Sequence, residues 1–175
     1  MFRKAYNKFG PLPVIAEDLG IITPAVRALV ASTGFPGMDV VQFYDGDVRE
    51  GYKPAPGKMA YSGTHDTQTL LGWCEQRFFG GNPADALGDG RAVELADNLL
   101  RKTLCSSATV AMAPLQDILG LDDASRMNVP GVSEGNWSWQ ATQEQLDASR
   151  DRLRKLAEEC GRKKLPQGAL LSALW

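Results

Sequence analysis

Short, largely apolar runs recur along the chain at residues 13–17, 38–43, 58–63 and 108–113, with segments of helical character between them. A continuous apolar run of that length predicts a strand covered on both faces, because a strand with one wet face would alternate polar and apolar residues. Strands separated by helices join as parallel neighbours, so the pattern predicts an α/β fold with four parallel strands. At 175 residues the chain fits one domain, residues 1–175.

The segments between the runs carry helix signals. In "TPAVRALVASTG" Thr23 is placed to cap, Pro24 suits the first helical position, Val26, Leu29 and Val30 fall on one face, and Gly34 ends the helix. A second helix is predicted from about Thr67 to Phe79, and "NPADALGDG" after it reads as a loop. In "RAVELADNLLRKTLC" Val93, Ala96, Leu99, Leu100 and Leu104 recur at helical spacing. Residues 121–140, rich in Gly, Asn, Pro and Trp, predict a long irregular loop of the kind that more often binds than idles. Thr142 and Gln145 form a capping box for a last helix with Leu146, Leu153, Leu156, Ala157 and Cys160 along one stripe.

In parallel α/β architectures function collects at the carboxyl ends of the strands. There the sequence puts "ED" at 17–18, "HD" at 65–66 and, beyond the fourth run, "MNVPG" followed by "NW". Two carboxylates at such a rim, Glu17 and Asp66, suit glycosidic chemistry, in which one group exchanges a proton with the bridging oxygen and another manages positive charge on the sugar. Each residue has a plainer reading beside this one. Acidic residues after strands often cap helices, as Asp18 is placed to do, and His65, the single histidine, fits equally a core imidazole bonded to backbone. Trp137 and Trp139 fit either core packing or the wall of a sugar pocket.

Charge narrows the partners. With 19 Lys and Arg against 21 Asp and Glu, the chain lacks the basic footprint that neutralises phosphates, so no nucleic acid and no anionic membrane surface is expected. No run of 18 or more apolar residues exists, and "MFRKAYNKFG" leads into no signal core, so the expected location is cytoplasmic. Cys74, Cys105 and Cys160 lie far apart without CxxC spacing and read as free thiols; with one histidine, a metal site is not expected.

Three stretches in one order, "VIAEDLGIITPAVRALVASTGFPGMDVVQF", "YSGTHDTQTLLGW" and "PLQDILGLDDASRMNVPGVSEGNWSWQ", resemble the carboxyl-terminal half of the amylomaltases, 4-α-glucanotransferases that disproportionate maltodextrins. The resemblance covers essentially the whole chain. It implies half of a (β/α)₈ TIM barrel, strands five to eight, a retaining double displacement on α-1,4-glucans, and no organic cofactor or essential metal. It puts the general acid/base on Glu17, the transition-state stabiliser on Asp66, and sugar contacts on His65 and Asn128; Trp137 in the same loop is expected to bind substrate. Thr67 stands where many relatives have asparagine, which touches fine contacts around the sugar.

The family's nucleophile lies in an "R-x-D-H" motif at the end of the fourth barrel strand, and this sequence contains no such motif. The chain is therefore expected to begin just before the fifth strand, to be inactive alone, and to associate with the absent amino-terminal half or, through the same exposed face, with another copy. Two other readings stand beside this one: a non-catalytic α-glucan-binding module, and a half-barrel that self-associates.

Overall fold

The structure, a computed structural model, describes residues 1–80 and 90–162. Its sheet is parallel, with strands β1 (Met38–Val40), β2 (Met59–Tyr61) and β3 (Ala111–Met112) in that order. Met38 pairs with Met59, and Ala60 with Ala111. Backbone bonds from Met59 to the Gly37 carbonyl (2.9 Å) and from Ser62 to the Met112 carbonyl (3.1 Å) close the ladder at its two ends. The predicted runs are longer than the strands. After Val40 the chain tightens into a 3₁₀ turn, Val41–Phe43, and Pro114 stops β3 by removing a donor.

The run at 13–17 is a correction. It is extended but is not a strand of the sheet: one backbone bond, Ala16 N–H to the Pro36 carbonyl at 2.8 Å, ties it beside β1. Pro11, Pro13 and Pro36 remove donors on both sides of that junction. The Asp18 carboxylate replaces the missing ladder, accepting the Met38 N–H at 2.7 Å and pairing with Lys58 Nζ at 2.8 Å. Asp18 is thus a backbone tie rather than a helix cap. Gly37 leaves it room, since a Cβ there would stand 2.5 Å from Asp18 Oδ2.

Helices are α1 (Phe2–Phe9), α2 (Pro24–Thr33), α3 (Val48–Gly51), α4 (Leu70–Phe78), α5 (Arg91–Leu104), α6 (Leu115–Leu119) and α7 (Gln143–Glu159). The predicted signals are present: Thr23 accepts from the Val26 N–H, Gly34 is left-handed, and Thr142 and Gln145 make a reciprocal capping box. α4 starts three residues later than predicted because Thr69, not a residue before Thr67, takes the cap by accepting from the Gly72 N–H. The loop predicted at 82–90 lies, up to residue 89, outside the described residues. Among residues 121–140 the regular structure is a single 3₁₀ turn, Asp123–Ser125.

The core lies between the sheet and α4, α5 and α6, centred on Leu70, Leu99 and Leu100, each at most 1% exposed. Each such leucine contributes about 2–3 kcal/mol by leaving water. The predicted faces of the outer helices are only partly used. Leu156 is buried, but Leu146 and Leu153 are exposed, as are Val26 and Leu29 on α2 and Val93 on α5. A second correction concerns the cysteines: Cys105 and Cys160, at the carboxyl ends of α5 and α7, form a disulfide, while Cys74 is free and buried. The two lie 55 residues apart, so sequence spacing alone gives no sign that their helices end side by side. Among the described residues no helix is long and apolar enough to cross a membrane.

Candidate active site

A cavity of about 580 Å³ opens over the carboxyl ends of the strands. Glu17 enters it from the extended segment, Phe43 from the turn after β1, the loop Gly63–Thr67 from the end of β2, and Met112–Pro114 from the end of β3. Glu17, His65 and Asp66 therefore share one space. Asn128 and Trp137 do not line that cavity and reach it through the His65–Asp66 pair. Asn128 Nδ2 donates to Asp66 Oδ1 at 2.6 Å, and His65 Nε2 stands 3.3 Å from the same oxygen. Trp137 lies with its ring centroid 5.3 Å from that of His65. Both His65 and Trp137 are exposed, so neither is the core residue of its plainer reading.

Local chemistry shapes the two loops that meet here. Thr67 Oγ1 accepts the Thr64 N–H at 2.9 Å and Thr64 Oγ1 accepts the Asp66 N–H at 3.2 Å, so the threonines of "GTHDT" fold the turn on itself. In the second loop Asn136 accepts the Val129 N–H and donates to the Val132 carbonyl, while the Trp137 N–H donates to the Met127 carbonyl at 2.7 Å. Trp137 is the one non-glycine residue in the described chain with positive φ, 59°, a conformation that a bulky side chain adopts only where its surroundings over-determine it.

Four residues around the site were not singled out from sequence. Tyr61 lines the cavity, and burial, then the Glu17 carboxylate, hold its phenol above its ordinary pKa, so it stays a neutral donor. Phe43 lines it too and is 59% exposed, an aromatic face turned to the open space. Asp117 lies beneath the β2 loop, accepting from Ser62 Oγ at 2.6 Å and from the Leu70 N–H at 2.7 Å. Arg126 bonds both loops at once. A signal existed for the last two: an acid inside the apolar "PLQDILG" and a cation directly before "MN" each break the character of their surroundings. Among the described residues no group of three or more His, Cys, Asp and Glu side chains is arranged to hold a metal.

Comparison with known proteins follows the same residues. A family model described as 4-alpha-glucanotransferase matches residues 1–145. The 4-alpha-glucanotransferase of Thermus thermophilus is 39% identical, covering 90% of this chain and 34% of that protein, and the chloroplastic/amyloplastic one of Solanum tuberosum is 34% identical over 93% of this chain and 30% of its own length. Among solved structures, an amylomaltase from Streptococcus agalactiae in complex with acarbose superposes with a TM-score of 0.73 at 28% identity, covering 93% of this chain and 34% of that one. The chain thus spans about a third of the length of the curated relatives it matches. It belongs to the 4-alpha-glucanotransferase family.

Proposed function

We propose that residues 1–175 supply strands five to eight of a (β/α)₈ barrel, and that the whole barrel is a retaining 4-α-glucanotransferase moving α-1,4-glucan segments between maltodextrins. Glu17 acts as general acid/base and Asp66 stabilises the oxocarbenium-like transition state. His65 and Asn128 hold sugar hydroxyls, and Trp137 stacks on a sugar face. The nucleophile belongs to another segment, because a retaining reaction needs a second carboxyl about 5–5.5 Å from the acid/base in an attacking position and no "R-x-D-H" motif is present. This chain alone therefore breaks no glycosidic bond.

The observation that carries this reading is the Asn128–Asp66–His65 cluster on the rim of the cavity that Glu17 enters. The Asn128 amide, donating to one oxygen with the His65 ring beside it, orients the Asp66 carboxylate before substrate arrives, which is the condition for stabilising charge that develops only in the transition state. A cavity of about 580 Å³ accommodates sugar units, and the superposable Streptococcus agalactiae amylomaltase is a complex with acarbose.

Two measurements test it. Incubated with maltotriose, the chain alone is expected to release no glucose and to build no longer oligosaccharide. Joined to the amino-terminal portion of the Thermus thermophilus relative it is expected to do both, and Glu17→Gln in the joined protein should lower transfer about 10²–10⁴-fold with acarbose still bound. Transfer within a few-fold of the unmutated joined protein would remove Glu17 from the acid/base role.

A further inference from the structure

The loops that carry Asp66 and Asn128 are each held by their own internal bonds, described above, and little joins one to the other. Besides the Asn128–Asp66 bond and the His65–Trp137 ring contact, the joints are the Arg126 guanidinium at Asp66 and the Asp123 carboxylate farther along at Gln68 and Thr69. The Arg126 Nη2 donates to the Asp66 carbonyl at 2.7 Å, and its Nε donates to the Asn128 carbonyl at 2.9 Å. On its other side Nη1 stands 3.9 Å from Asp123 Oδ2. Asp123 itself accepts the Thr69 N–H at 3.0 Å and Gln68 Nε2 at 3.4 Å, so both ends of the "HDTQT" segment are gripped from the same direction. The Arg126 side chain is 19% exposed, so these bonds form largely out of water.

We infer that Arg126 is a positioning residue: by bonding the main chain at Asp66 and at Asn128 together, it sets the Asp66 carboxylate against the Asn128 carboxamide. The internal bonds fix the shape of each loop, and the guanidinium fixes where the two shapes point. A planar fork suits this task because two of its N–H groups diverge toward separate carbonyls at fixed angles. A lysine ammonium is a single flexible donor site that meets one carbonyl well at a time. Arg126 does not itself line the cavity, so its effect on a bound sugar runs through Asp66, which does, and Asn128. That last consequence rests on the glucan reading; the positioning itself does not.

The test uses the chain as it stands. The side-chain amide of Asn128, assigned with Asn128→Asp, is followed by ¹H–¹⁵N NMR in the native chain, Arg126→Met and Arg126→Lys, alongside melting temperature and acarbose titration. In the native chain the amide should be shifted by its bond to Asp66 and protected from exchange. In Arg126→Met, at a melting temperature within a few degrees of native, that signature should collapse toward a free asparagine amide. Acarbose binding should weaken about ten-fold or more, the scale of one charge-assisted hydrogen bond, with Arg126→Lys recovering only part of both. An unchanged Asn128 amide in folded Arg126→Met overturns the inference. If the Met variant unfolds, the Lys variant decides by the same signal, a native-like amide overturning and a partly or wholly collapsed one supporting. A native chain that fails to bind acarbose while its Asn128 amide still answers to Arg126 sinks the glucan reading and leaves the positioning role standing.

Discussion

Burial, only partly offset by hydrogen bonds from Ser62 and the Leu70 amide, lifts the Asp117 carboxyl to about 6. An aspartate in the unfolded chain titrates near 4, so between about pH 4 and pH 6 the folded state holds more protons than the unfolded one. Stability from this group is therefore present at low pH and is lost as pH rises through that window, by at most about 3 kcal/mol. Asp117→Asn keeps an acceptor for the Leu70 N–H and cannot titrate. Urea melts at pH 4, 5, 6 and 7 should show the native chain losing stability across the window relative to this variant, and parallel profiles would refute the assignment. Such residues define what the sequence concealed. Glu17, His65 and Asp66 are legible as rim candidates because they are polar residues that close or follow apolar runs. Asp117 and Arg126 work through partners 55 and 60 residues away, which no local pattern announces.

At the scale of elements, the helices were legible through their ends, and three of the four apolar runs hold the parallel strands, shorter than read, while the run at 13–17 does not. Caps are local chemistry, a side chain reaching three residues along, so Thr23, Gly34 and the Thr142–Gln145 box declare themselves. A strand exists only when a neighbour takes its hydrogen bonds, and the prolines around residues 13 and 36 left the first apolar run with one. The disulfide between the ends of α5 and α7 is of the same non-local kind. A loop of 55 residues, closed in the unfolded chain, is worth about 4 kcal/mol by chain entropy. Arg162 also grips this turn, donating to the Ala108 and Ser106 carbonyls at 3.0 and 3.1 Å, so part of the geometry survives without the disulfide. Cys105→Ser combined with Cys160→Ser should lower the melting temperature by about 5–15 °C, and dithiothreitol should bring the native chain to the same value. A native melt indifferent to reductant would count against the pairing.

Across the whole molecule, burial is lopsided. No residue before Gly37 is buried; Phe9, Ile21 and Leu29 are 68%, 97% and 58% exposed, whereas α4 and α5 hold the centre of the core. The helical grammar of α2 was readable, but what its apolar face packs against was not, because under the half-barrel reading that surface belongs to another segment. In the chain alone, amides of α1 and α2 should exchange with solvent far faster than those of α5, and adding the amino-terminal portion of a relative should slow them selectively. Protection of α2 equal to that of α5 in the isolated chain would remove the need for such a partner. The Asn128–Asp66 bond spans 62 residues, and this separation has a meaning in time. A ribosome adding about 5–20 residues per second makes Asn128 roughly 3–12 s after Asp66. Through that interval the turn bearing Asp66 exists without its Asn128 restraint, and the carboxylate is free to swing. The rim of the cleft is completed in the order of synthesis, with its last fastening among the later residues to be made.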